Sequence, residues 1–213
     1  MSDNDVTEPY PVPDLSGLPA DVLARIRAEG EASGFVPNVF LTLARRPAEF
    51  RAFFAYYDAL MGKEGGGLTK ADREMIVTAT SAANDCLYCV VAHGALLRLF
   101  ERDPHIADRV AVNWRSAGLP ARQHAMLEFA LKVCERPGEV GDADRAALYE
   151  HGFDDEDAWD IAAITGFFGL SNRVATVAKM APNPQFYLLG RVPKDVYAQL
   201  TAQPPVQDPP AAG

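Results

Sequence analysis

A chain of 213 residues, 48% apolar and 23% charged, is long enough to bury a substantial core in one domain or two small ones. Its formal charge of −9, with no local basic stretch to offset it, excludes nucleic acid as a partner, because phosphates demand a basic surface. A membrane is excluded too: the apolar run after Cys86 is broken by His93 and Arg98, and the run over residues 158–181 by Asp160, Asn172, Arg173 and Lys179.

Residues 1–17 are acidic and alternate proline with polar residues (Pro9, Pro11, Pro13), which predicts an extended arm. They lack the cationic start and apolar core of a signal peptide, so a cytoplasmic location is expected. From Pro19-Ala20-Asp21, Val22, Leu23 and Ile26 recur at helical spacing up to about Ser33, and Gly34 ends the helix. Pro37-Asn38 starts a short helix that Pro47 stops. A longer helix over residues 48–63 carries the stripe Phe50, Phe53, Phe54, Tyr57, Leu60 and Met61, which reads as core or subunit interface. Gly65-Gly66-Gly67 lacks the phosphate-binding patterns and a preceding strand, and reads as a turn.

Thr69 with Asp72 three residues on has the form of a capping box and opens a helix to about Ala83. Asn84-Asp85 is expected to stop it and cap the next helix, over residues 86–100. Asp103-Pro104 is expected to cap a helix reaching about Ser116, closed by Gly118. Leu119-Pro120 opens a helix through Met126 and Phe129 that ends at Pro137-Gly138. Asp142 is expected to cap a short helix to His151, with Gly152 in the left-handed position after it. Asp154 caps a last long helix from Asp155 to about Met180; an irregular descent through Pro182, Pro184 and Pro193 leads to a proline-rich tail over residues 191–213. No segment reads as a strand, so the fold class is all-α. A weak echo between Leu68-Thr69-Lys70-Ala71 and Leu119-Pro120-Ala121-Arg122 suggests two related helical units, about 68–117 and 119–181, within a domain over residues 18–190. Alanine stands at 125 where the first unit has Glu74, so the second unit would be inert scaffold.

The chemistry concentrates between Glu74 and His93. Cys86 and Cys89 form a C-x-x-C pair in a chain with three cysteines, and in a reducing compartment such a pair is redox-active or metal-binding. On a helix starting at Cys86, the two cysteines and His93 share one narrow face. The helix start stabilises a thiolate, pulling a thiol below its ordinary value near ~8.5. His93, four residues beyond Cys89, is placed to take a thiol proton directly or through one water. Glu74 joins only if the chain folds back at Asn84-Asp85, since on one continuous helix it would lie roughly 18 Å from Cys86. A fold-back would complete a Glu–His–Cys relay. A zinc site is the competing reading: two cysteines, His93 and either Glu74 or Asp85. Haem attachment fails because Val90 follows Cys89, and a thioredoxin setting fails because the flanking elements are helices. Cys134, alone in an apolar helix, reads as a small buried hydrophobe.

The spacing E-x11-C-x2-C-x3-H, filled by Glu74, Cys86, Cys89 and His93, resembles the alkylhydroperoxidase D (AhpD)-like family of the carboxymuconolactone decarboxylase-like superfamily. GFVPNVF at 34–40, LTKADREMI at 68–76 and SNR at 171–173 resemble its longer peroxidase-related branch. The resemblance implies an all-helical fold of duplicated units, a trimeric or hexameric homo-oligomer, and a thiol peroxidase without cofactor. Its dithiol would reduce a hydroperoxide, cycle to a disulfide and be restored by an unidentified thiol or dithiol donor, with Glu74 and His93 as proton relay. It further implies Cys89 as the peroxidatic and Cys86 as the resolving thiol, whereas the helix-start position favours Cys86 as the more acidic; the order stays open at this level. Tyr88 departs from the best-known members, which carry histidine there. General dithiol–disulfide exchange and a zinc-bearing scaffold are the alternative functions.

Overall fold

The computed structural model describes residues 10–201. Among these it contains α-helices and three short 3-10 turns and no strand, as the sequence predicts. The helices are α1 (Ala20–Ser33), α2 (Asn38–Ala44), α3 (Pro47–Met61), α4 (Lys70–Ala83), α5 (Leu87–Glu101), α6 (Ile106–Asn113), α7 (Ala121–Glu135), α8 (Asp142–Tyr149), α9 (Asp155–Val177), α10 (Pro184–Leu188) and α11 (Lys194–Thr201).

Helix α4 is the axis of the fold. Ten consecutive residues, Asp72 through Ser81, are buried, because α5, α6, α7 and α9 all pack around it. A helix enclosed on every side cannot be simply amphipathic, and its polar residues survive by finding partners inside. Thr78 and Thr80 hydroxyls donate to the Glu74 and Ile76 carbonyls of the preceding turn. The expected capping box is present: Thr69 N donates to Asp72 Oδ2 and Asp72 N donates to Thr69 Oγ1, both at 3.0 Å. Asp72 also receives Arg122 Nη1 at 3.0 Å and Gln123 Nε2 at 3.3 Å, which ties the start of α4 to α7. Replacing Asp72 by alanine therefore removes the reciprocal half of the capping box and the buried anion that pairs with Arg122, which keeps its bond to the Gly67 carbonyl. The unfolding free energy should fall by about 3 kcal/mol, read from urea denaturation.

The main core joins Met75, Ile76 and Leu97 to Met126, Leu127, Ile161, Ile164 and Phe168. The stripe of α3 divides between two clusters. Phe50 and Phe54 pack with Val22, Ile26 and Phe40 under α1 and α2, while Leu60 and Met61 join the main core. The stripe is thus core, as one of its two sequence readings holds.

Several boundaries depart from expectation for local reasons. Asp103 does not cap α6: its Oδ1 receives His105 N in a turn, and the helix begins at Ile106. Asp142 is the first helical residue of α8, with Gly141 as the cap residue, its N–H donating to Asp144 Oδ2. The descent after α9 is more ordered than the prolines suggest: Pro184 occupies a first helical turn in α10, and α11 occupies residues 194–201 of the expected tail. The rest of the arm and tail, residues 1–9 and 202–213, lies outside the described residues. Gly152 holds the left-handed position after α8 (φ 81°), as expected.

Candidate active site

The break between α4 and α5 is short and tightly bonded. Asp85 adopts the left-handed conformation at φ 53°, a region where Asp and Asn are tolerated better than most non-glycine residues. Around it, Asp85 N donates to the Ala82 carbonyl at 3.1 Å and Cys86 N to the Ser81 carbonyl at 2.9 Å. This hydrogen-bond pair closes a helix through a left-handed residue. Cys86 is the residue just beyond that closure and also the N-cap of α5. The expected stop at Asn84-Asp85 is present, but the cap of the new helix is Cys86, because Asp85 is committed to the turn and is exposed.

The return brings Glu74 back to α5. Glu74 Oε2 lies 2.6 Å from His93 Nδ1, with both side chains buried. Engagement of Nδ1 leaves Nε2 as the nitrogen free for exchange, and the ring is held edge-on to Phe168 at 4.6 Å between centroids. Tyr57 of α3 is close enough to feel the Glu74 charge; burial first, and that carboxylate second, push its phenol well above the ordinary value.

Both thiols are free and 1% exposed. The Cys86 thiol is pulled down to about 6, first by hydrogen bonding with the Cys89 side chain, against the opposing effect of burial. The Cys89 backbone N–H, Thr176 and Asn172 add to the lowering. Cys89 is pushed far above its ordinary value by the same Cys86 contact and by burial. Its Sγ lies 3.8 Å from Ser171 Oγ. Their spacing allows proton transfer directly or through one water; no direct His93–Cys89 hydrogen bond joins them, since Nδ1 pairs with Glu74 and the Cys89 sulfur contacts Ser171. The sequence placed no role on Ser171, Asn172 and Thr176; the SNR run at 171–173 touched on the first two as part of a resemblance and missed Thr176.

A cover closes the site. Phe35, Met180 and Phe186 pack with both cysteines and Tyr88, and Phe35 meets Phe186 edge-on at 5.0 Å. The cover is laced by side chains: Asn183 Oδ1 receives Asn38 N at 2.8 Å and Asn183 Nδ2 donates to the Val36 carbonyl at 3.0 Å. Buried Arg98 donates to the carbonyls of Phe186 and Leu189 at 2.7 and 3.0 Å. Tyr88, whose role the sequence left undecided, belongs to this lacing: it is buried and its hydroxyl accepts Val39 N at 3.1 Å.

Cys134, read from the sequence as a small buried hydrophobe, keeps part of its surface exposed. It is half-buried, receives Asn84 Nδ2 at 3.4 Å and lines a cavity of about 310 Å³ with Thr165, Leu170 and Arg173, beside rather than over the dithiol. Burial raises its thiol pKa. The zinc reading lacks ligands: among the described residues no group of three or more His, Cys, Asp and Glu side chains is gathered to hold a metal. Glu74 is spent on His93 and Asp85 points its backbone into the turn. Among the described residues no helix is long and apolar enough to cross a membrane.

Residues 47–131 match the Carboxymuconolactone decarboxylase family. The structure is similar to a peroxidase-related protein with an alkylhydroperoxidase AhpD core from Ralstonia eutropha JMP134: 67% identity, 87% of this chain and 97% of that one, TM-score 0.85. It is also similar to a peroxidase-related protein from Silicibacter sp. TM1040: 41% identity, 86% and 94% of the two chains, TM-score 0.81. A debrominase in its apo form shares the fold alone, at 19% identity and TM-score 0.65, over 78% of this chain and 87% of that one. No protein of curated function matches the sequence.

Proposed function

This chain belongs to the carboxymuconolactone decarboxylase superfamily, in its AhpD-like, peroxidase-related branch, and from that footing we propose that it is a thiol-dependent peroxidase that reduces hydroperoxides with its C-x-x-C dithiol. One observation carries the reading: an acidified thiol at a helix start shares its helix with a histidine whose other face is engaged by a buried carboxylate.

The Cys86 thiolate attacks the terminal oxygen of R–O–OH; the S–O bond forms as the O–O bond breaks. His93 supplies the proton that lets RO⁻ leave as an alcohol, with Glu74 holding the imidazolium. Cys86 is then a sulfenic acid, and the Cys89 thiol displaces its oxygen as water, giving the Cys86–Cys89 disulfide. Two thiols of an external donor restore the pair. The electron balance of this scheme needs no cofactor. Assembly into a homo-oligomer is part of the reading, supported by exposed Leu87, Leu170, Val174 and Val177 on the first turn of α5 and one side of α9.

The test is thiol titration of the reduced protein before and after stoichiometric organic hydroperoxide, with mass spectrometry of the linked peptide. Two thiols should be lost and a Cys86–Cys89 bridge found; a fully reduced pair after exposure rejects the reading. The reactive form is the deprotonated one, so the rate should fall as pH drops through about 6 and level off above it.

A further inference from the structure

Both sulfurs of the dithiol are 1% exposed, yet a hydroperoxide must reach one of them and a donor must later reach the disulfide. Of the three residues that cover them, Met180 and Phe186 belong to a single run, residues 180–189, which contains α10. A helix of five residues does not hold its shape alone, and Pro182 breaks the chain just before it. The run is bracketed by two left-handed residues, Lys179 at φ 52° and Gly190 at φ 74°. At Gly190 the chain is pressed against α5: a Cβ there would meet Arg98 Cβ at 2.9 Å. One residue further, Arg191 pairs with Asp108 of α6 at 2.7 and 3.0 Å, which fixes that end.

Between its ends the run is held by polar side chains on two sides. Arg98 of α5 is 4% exposed and spends its guanidinium on the Phe186 and Leu189 carbonyls, groups that the end of a short helix leaves unpaired. On the other side, Asn183 bonds the backbone of Val36 and Asn38, and Asn38 Nδ2 donates to the Ala181 carbonyl at 2.8 Å. Two costs oppose the covered position. Gln185 Oε1 is buried with no hydrogen-bond partner among the described residues, and Lys179, which has a Cβ, is held left-handed. A short segment tied by a few bonds, and carrying such costs, opens locally while the core around it stays folded.

We propose that residues 180–189 are a hinged lid over the dithiol, with Lys179 and Gly190 as pivots and Arg98 and Asn183 as latches, and that the thiols meet a reagent only when this lid swings out. Arg98 sits on the same helix as Cys89 and His93, so the latch and the reacting groups share one rigid element. The proposal rests on the dithiol being the reactive centre, but it concerns access to the pair and not the oxidant.

The experiment is alkylation of the reduced full-length protein by iodoacetamide, with no hydroperoxide present, followed by mass spectrometry of the peptide carrying Cys86 and Cys89. In Arg98→Met, which keeps the apolar stem and removes both carbonyl bonds, labelling should be at least about tenfold faster than in wild type. Asn183→Ala, which opens the opposite side, should also label faster. Hydrogen exchange on the same proteins separates local from global opening. Peptides over residues 180–189 should exchange faster in the variants, and peptides over residues 72–81 at the wild-type rate. Labelling at the wild-type rate in a folded Arg98→Met protein overturns the proposal, as does faster labelling accompanied by equally faster exchange over residues 72–81. If Arg98→Met does not fold, Asn183→Ala decides by the same two readings. A protein that shows these changes but consumes no hydroperoxide would retain the lid and lose the peroxidase reading.

Discussion

Reduced Cys89→Ser protein is expected to consume one equivalent of an organic hydroperoxide and then stop, whereas Cys86→Ser should lose hydroperoxide consumption by at least about a thousandfold. The asymmetry follows from the environments of the two sulfurs. The largest influence lowering Cys86 to about 6 is the hydrogen bond from the Cys89 side chain. A serine hydroxyl at 89 can still donate, so the thiolate persists. The backbone N–H of residue 89 at the start of α5, Thr176 and Asn172 are untouched by the substitution. The single-thiol protein then halts at a sulfenic acid, which a dimedone-type reagent should trap. In Cys86→Ser the remaining thiol is buried beside Ser171 and stays protonated near neutrality, since burial raises it. The reverse result, a fast Cys86→Ser and an inert Cys89→Ser, would assign the nucleophile to the neighbour of His93, the division that the family resemblance implies.

Glu74→Gln should slow hydroperoxide reduction by about a hundredfold while leaving both thiols titratable by a denaturing assay. Glutamine fills the same buried space and its Oε1 can still accept from His93 Nδ1, so the 2.6 Å pair is preserved in shape. What is lost is the negative charge that steadies an imidazolium while a proton passes through Nε2. The change should appear in the chemical step, measured by stopped-flow consumption of hydroperoxide in the absence of a reductant. Equal rates in the two proteins would remove Glu74 from the mechanism and leave it a buried orienting acid.

Local chemistry made much of this legible in the sequence. Thr69 and Asp72 announce their capping box because both partners lie within one turn, and Gly152 announces its left-handed position because it has no Cβ. The C-x-x-C pair, His93 and Glu74 fall within twenty residues of chain, so helix period and one break sufficed to bring them together. What depends on distant pairing was not legible. Ser171, Asn172 and Thr176 lie more than eighty residues beyond the sulfurs; the SNR run marked the first two by resemblance alone, and nothing local tied any of them to the thiols. Tyr88 could be placed only once Val39 was seen across from it. Asp103 misled because Asp before Pro makes a turn as readily as a helix start, and α11 was hidden by the prolines around it.

The turn at Asp85 has a consequence for what kinds of change this chain can absorb. Substitution and insertion are ordinarily ranked by side-chain chemistry, but here two helices are coupled in phase. One residue more between Glu74 and Cys86 would rotate the carboxylate about 100° around its helix relative to α5, and every functional side chain would still be present. The eleven-residue interval is therefore as much a part of the site as the four residues it separates. Length in this loop is a harder constraint than identity, since Gly or Asn suits the left-handed position at 85 as well as Asp does.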